Sequence, residues 1–240
     1  MFSGAESESN GEGGGLENPP PNSTMQCGNP TLILVQNGKR IFRSWDLATP
    51  IFKFMAQTVV NCGKCLHCRK ARSYELAMRC VLHASMHTNN MFLTLTYDET
   101  REGYDNKLRY TDIQKFKKKL RSHVHRKTGQ KIQIFNVHEY GKNGKKHWHA
   151  LVFNYNFSDR KIHTKKNGIP LYTSKILQSL WGHGFVTIGD VEEASALYQA
   201  QYMEKDYKNG NQTNERKSKS NHQGLGKPYF MKHYKQVLEL

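Results

Sequence analysis

The sequence predicts an α+β fold, an antiparallel sheet with helices packed on it, behind a disordered N-terminal tail. Three observations predict it. Two β-rich runs flank the turn residues Gly141-Lys142-Asn143-Gly144, a hairpin signal. A β-branched and aromatic run, MFLTLTY, covers Met91 to Tyr97. Between them Ile113, Phe116, Leu120 and Val124 recur at helical intervals. Hairpin strands with helices between them give a sheet that buries one face or both under helices.

The elements follow in chain order. Residues 1 to about 25 are Gly, Ser, Asn, Glu and Pro with almost nothing to bury, so they read as disordered. From residue 26 to 240 the chain reads as one domain carrying a cysteine-rich segment at about 60–80. Thr31 to Gln36 followed by Asn37-Gly38 looks like a strand and turn. Lys70 to His87 reads as a helix, and Met91 to Tyr97 as a central strand. Thr111 and Gln114 have capping-box spacing at the start of the next helix, which hides one face and shows lysines on the other. Strands are expected at Lys131–Tyr140 and Lys146–Phe153. A short helix at Ser174–Trp181 leads through Gly182 and Gly184 to a strand at Phe185–Ile188. Glu192–Tyr207 reads as the last major helix and Asn209–Gly226 as a loop.

Charge narrows the function. The formal net charge is +16, yet the first 38 residues hold four acids and no Lys or Arg, so the other 202 residues carry +20. Such an excess attracts polyanions and binds phosphate in a salt-sensitive way. An anionic membrane fits less well, because the basic residues are spread among structured segments. No run approaches the ~20 apolar residues that cross a bilayer, and no secretory signal opens the chain. Five cysteines, three of them bunched, suit a reducing compartment, with cytosol the default.

His147-Trp148-His149 is the first chemical feature. In a strand both imidazoles point the same way, about 6.5–7 Å apart, close enough to converge on one divalent ion. A third ligand is expected from the preceding strand, and pairing parity decides which. A two-residue turn at Asn143-Gly144 sets His138 opposite His149; one more loop residue sets Glu139 opposite His147. Glu139 is the expectation, as a hard oxygen ligand for Mg²⁺ or Mn²⁺, with His138 in reserve and Gly141 able to host a register-shifting bulge.

Tyr198, Tyr202 and Lys205 are the second feature, sharing one helical face at spacings of four and three. Ala196, Ala200, Met203 and Tyr207 lie nearly opposite and form the packing stripe. A tyrosine oxygen can attack a phosphodiester in line, leaving a 3′-hydroxyl and a 5′-phosphotyrosine. Nearby positive charge from Lys205 and a cation favours the phenolate. Cys62, Cys65 and Cys68 (CGKCLHC) are the third feature. Two successive C-x-x-C steps suit structural Zn²⁺, with His67, Cys80 or Cys27 as the fourth ligand.

From about residue 60 to 230 the chain resembles the replication initiator proteins of microviruses, the gokushovirus branch above all, within the HUH endonucleases. CGKCLHCRKARSYELAMRC followed by FLTLTYD resembles the opening block of that family. EYGKNGKKHWHALVF resembles its metal block, ALYQAQYMEK its paired-tyrosine helix, and GLGKPYF its glycine-rich segment. The resemblance implies an HUH-type fold and rolling-circle initiation on supercoiled origin DNA in the cytoplasm of a bacterial host. One strand is nicked through a 5′-phosphotyrosine, the host polymerase and helicase extend and unwind, and a second transfer closes a single-stranded circle. It implies His147, His149 and Glu139 as metal ligands, Tyr198 and Tyr202 as alternating nucleophiles, and Lys205 as their assistant. Two other readings stand beside it: an HUH relaxase or transposase, and a non-enzymatic, zinc-stabilised nucleic-acid-binding protein whose tyrosines stack on bases.

Overall fold

A computed structural model describes residues 27–105, 107–141, 144–166, 168–191, 218–219 and 224–238. The tail expected over residues 1–25 and the helix expected over Glu192–Tyr207 lie outside them. The chain divides into two compact units, Met1–Cys68 and Arg69–Leu240.

The first unit is built on a hairpin. Strands β1 (Thr31–Gln36) and β2 (Lys39–Ser44) pair antiparallel around Asn37 and Gly38, whose φ angles of 50° and 73° make the two-residue turn that matches strand twist. Helix α1 (Pro50–Met55) starts at Thr49, whose hydroxyl accepts from the Phe52 backbone N–H, with Pro50 preset for a first helical turn. Strand β3 (Thr58–Val60) then returns along the other side of β1, giving the order β2-β1-β3. Leu32 is the buried centre of this unit. Beyond β1 and its turn, none of these elements carries a clear periodic signal in the sequence.

Helix α2 (Leu66–Ala84) begins in the first unit and continues into the second, starting and ending a little before the span read from sequence. The second unit holds a seven-stranded sheet among the described residues. Its strands are β4 (Asn90–Thr96), β5 (Gln133–Tyr140), β6 (Lys146–Phe153), β7 (Lys161–Lys166), β8 (Ile169–Thr173), β9 (Val186–Gly189) and β10 (Ser218–Lys219). The order is β10-β5-β6-β4-β9-β8-β7, every neighbouring pair antiparallel, with β4 in the middle. The fold is α+β.

Alternation along β4, β5 and β6 sorts side chains onto two faces. One face carries Met91, Leu93, Leu95, Ile134, Trp148, Ala150 and Val152, buried under helices α3 (Tyr110–Thr128) and α4 (Lys175–Trp181). Ile113, Phe116, Leu120 and Val124 are the α3 contribution, at the intervals the sequence shows. The other face carries Phe135, Val137, Leu151 and Phe153, packed with Cys80, Leu76, Val81 and Ala84 of α2, with Val191, and with Leu225 just before helix α5 (Lys227–Leu238).

Several expectations shift. Helix α3 is entered from Arg109, with no side-chain cap, so the capping box expected at Thr111 and Gln114 is not formed. Asp112 instead accepts from the Tyr97 hydroxyl, which fixes the helix start to the end of β4. The segment read as a loop to Gly226 contains β10, whose partner strand supplies the pairing that its own composition does not advertise. Phe185 does exchange backbone hydrogen bonds with Thr96 ahead of β9. That approach needs Gly184: at φ +153° its α-carbon sits so close to β4 that a Cβ would lie 2.5 Å from the Thr96 carbonyl oxygen. No helix among the described residues is long and apolar enough to cross a membrane.

Candidate metal centres

Three adjacent strands build the first centre. Pairing sets Glu139 of β5, His147 of β6 and Thr96 of β4 in one row across the sheet. The next row is Val137, His149 and Thr94. Directly opposed residues share a face, so the carboxylate and both imidazoles lie on the same side. His138 pairs with Trp148 and stacks edge-on against its indole on the opposite face. The register therefore joins Glu139, not His138, to the histidines. It runs without a bulge to Tyr140 and Lys146, where Gly141 closes the hairpin through its N–H to the Lys145 carbonyl. Gly141 has a different use: a Cβ there would sit 3.1 Å from His147 Nε2, so the missing side chain keeps that nitrogen open.

Each imidazole is fixed at its other nitrogen. His147 Nδ1 lies 3.0 Å from Thr96 Oγ1, and His149 Nδ1 lies 3.2 Å from Thr94 Oγ1. Phe92 stacks on the His149 ring, centroids 5.5 Å apart. His149 Nε2 lies 3.0 Å from Glu139 Oε2, and the two imidazole centroids are 6.2 Å apart. Burial, with the neighbouring His149 in second place, pulls the His147 pKa below the usual imidazole value, which favours the neutral ring that ligates metals. A donor set of two imidazoles and a carboxylate suits a divalent cation.

The support beneath is dry and hydrogen-bonded. Trp148 Nε1–H donates to the Tyr97 hydroxyl, which donates on to Asp112. Lys146, next to His147 but on the opposite face, is buried: its ammonium donates to the carbonyls of Asp105 and Lys107 and lies 4.1 Å from the Tyr97 ring centre. Sequence reasoning missed Thr94 and Thr96. Their signal is a pair of hydroxyls two apart in an otherwise apolar strand, which puts both on one face.

The second centre lies within the first unit. Cys27, Cys62, Cys65 and Cys68 bring their sulfurs within 4.8 Å of one another. Cys27 and Cys65 sulfurs are 3.9 Å apart, as are those of Cys62 and Cys68. Four sulfurs about 2.3 Å from one central zinc stand about 3.8 Å from each other. Backbone N–H groups of Cys62, Cys65 and Cys68 point at the sulfurs of Cys27, Cys62 and Cys65, an arrangement that favours thiolate. The Cys68 N–H brings the Cys65 thiol down to about 6, whereas burial pushes Cys68 up to about 12. Four thiolates at this spacing need a cation, and the cluster can hold a structural metal such as zinc. The fourth member is Cys27; His67 is exposed outside the group, and Cys80 is buried in the sheet core. Cys27 sits 35 residues before Cys62, a separation that no local spacing rule spans. Tyr198, Tyr202 and Lys205 lie outside the described residues.

Residues 90–207 match a family of viral proteins described as Replication-associated protein ORF2. The chain is similar to Replication-associated protein ORF4 of Chlamydia phage 1, with 34% identity over 190 residues, 74% of this chain and 47% of that protein. It is similar to Replication-associated protein VP4 of Bdellovibrio phage phiMH2K, with 32% identity over 78% of this chain and 62% of that one. Replication-associated protein ORF2 of Spiroplasma virus 4 shows 32% identity over 77% of this chain and 61% of its own length. The matched region thus spans about half to three-fifths of these relatives. No solved structure gives a significant match.

Proposed function

Through residues 90–207 the chain belongs to the Replication-associated protein ORF2 family, and from that premise we propose that it initiates viral rolling-circle DNA replication by nicking one strand. The observation that carries the reading is the half-buried face on which Glu139, His147 and His149 meet. The flanks of the tyrosine-bearing segment support it. Val191, just before that segment, packs on the same sheet face, and β10, just after it, pairs with β5, the strand of Glu139.

In this reading Glu139 and the outer nitrogens of His147 and His149 hold Mg²⁺ or Mn²⁺. The bound cation supplies positive charge at a non-bridging phosphate oxygen. Thr94 and Thr96 keep each imidazole turned so that Nε2 faces the phosphate site. The phenol of Tyr198 or Tyr202 attacks phosphorus in line, with Lys205 favouring the phenolate. The new bond joins the tyrosine oxygen to the 5′ phosphate; the broken bond frees a 3′-hydroxyl for the host polymerase. Because the phosphodiester energy is kept, the second tyrosine repeats the transfer on the regenerated junction and a single-stranded circle closes. Zinc in the four-cysteine cluster is structural. The partners are the viral origin, as supercoiled duplex and single strand, and the host polymerase and helicase in the bacterial cytoplasm.

The test is direct. Incubation with origin-bearing supercoiled DNA and Mn²⁺ should yield a nicked circle bearing covalent protein, and chelation of the cation should prevent it. A protein that binds this DNA but never forms an adduct is a binder, and the reading is then wrong. Valine at both Thr94 and Thr96 should weaken Mn²⁺ binding roughly 10- to 100-fold by isothermal titration, with unchanged far-ultraviolet circular dichroism. Equal affinity for the variant would show that the hydroxyls do not orient the ligands.

A further inference from the structure

The β1–β2 hairpin of the first unit is longer than the sheet it belongs to. Strand β3 pairs with β1 only at Thr31, Leu32 and Ile33. From Leu34 to Ile41 the hairpin is therefore a bare two-stranded ribbon among the described residues. Three residue pairs at about 3.4 Å per residue give a projection of roughly 10 Å. The major groove of B-form DNA is about 8.5 Å deep and about 12 Å wide, dimensions that admit a two-stranded ribbon.

The chemistry at the end of the ribbon is polar and cationic. Val35, Gln36, Asn37, Lys39 and Arg40 are all exposed. Pairing sets Gln36 beside Lys39 on one face and Val35 beside Arg40 on the other. Glutamine, asparagine and lysine side chains match base-edge donors and acceptors, and arginine matches a phosphate. Across residues 27–68 the chain has Lys39, Arg40, Arg43, Lys53 and Lys64 against a single acid, Asp46. Neither metal centre uses the ribbon. Within the first unit α1 meets the base of the hairpin, where Arg43 lies 6.0 Å from the Phe52 ring centre, and leaves the end of the ribbon exposed.

We propose that the β1–β2 ribbon is a duplex-DNA contact, entering the major groove with Gln36 and Lys39 toward the base edges and Arg40 toward a phosphate. The proposal rests on the replication reading above, since it names the element through which duplex DNA is gripped apart from the site of cleavage. The four-cysteine cluster anchors β1 and β3 through Cys27 and Cys62 just outside them, so the ribbon is held at its base and free at its end.

The test uses the full chain with zinc and a fluorescein-labelled duplex of about 30 mixed-sequence base pairs, read by anisotropy over a salt series. The paired change Lys39→Ala and Arg40→Ala, both exposed and away from the turn residues, should weaken binding about 10-fold at 0.1 M salt and lower the log–log salt slope by about 2. The same charge loss at Lys118 and Lys119, exposed on α3, should change affinity by less than about 3-fold. Equal losses for the two pairs would reduce the ribbon to part of a diffuse basic surface and overturn the proposal. So would a single-stranded oligonucleotide that competes better than duplex and loses its advantage when Lys39 and Arg40 are changed. Wild-type protein with no affinity for duplex DNA would overturn the replication reading itself.

Discussion

Phenylalanine at both Tyr198 and Tyr202 should abolish the covalent protein–DNA adduct while leaving DNA binding largely intact. The benzyl side chain keeps ring size and stacking but has no oxygen to join to phosphorus, so nothing at that position can complete the transfer. Loss of a nucleophile lowers the chemical step by on the order of 10³-fold or more, enough to clear a denaturing gel of any shifted band. The single variants should divide the cycle. Either one retains an adduct through the remaining phenol, and both fail to release closed single-stranded circles, because closure needs a second attacking oxygen. Mass spectrometry of a DNA-linked peptide spanning Ala194 to Lys208 identifies the attached residue. An adduct that survives in the double variant would refute the assignment of both nucleophiles.

Replacement of Cys27 by Ser should cost the first unit its metal and its fold together. That unit has one fully buried aliphatic residue, Leu32, and many exposed apolar ones, including Leu47, Ile51 and Phe54. So small a core leaves its stability dependent on the cluster. Structural zinc in small cysteine sites supplies apparent binding energies of about 10–16 kcal/mol, all of it linked to folding. The expected readings are loss of about one zinc per chain by elemental analysis and rapid proteolysis N-terminal to Arg69. Two other variants serve as contrasts. His67→Ala should keep the zinc, and Cys80→Ser should keep it while destabilising the sheet core by roughly 1–3 kcal/mol. Retention of zinc by the Cys27 variant, with loss in the His67 variant, would reverse the ligand assignment.

The parts of the fold legible in the sequence are those whose signal is local. The α3 stripe, the short helix α4 and the hairpin of β5 and β6 each declare themselves within a dozen residues. So does the choice between two registers for that hairpin, because only one parity sets a carboxylate beside His147. What stays hidden depends on partners distant in sequence. Strand β7 is exposed along its whole length and rich in lysine, as an edge strand that must not recruit another chain should be, so it has no apolar alternation to read. Strand β10 exists because β5 offers a free edge. Cys27 joins its cluster across the whole of the first unit. Thr94 and Thr96 look like ordinary strand formers until the strand pairing sets them beside two imidazoles.

The row Glu139–His147–Thr96 spans three hydrogen-bonded strands at the centre of a sheet, braced from below by Trp148, Tyr97 and Asp112. A seat of that kind has no travel: shifting any one ligand would break backbone pairing on both sides of it. In a two-step exchange, the stationary component is then the cation pocket. The DNA ends and the phenols must take turns in coming to it, so the tempo of successive cuts is set by their exchange rather than by any rearrangement of the anvil on which they are struck.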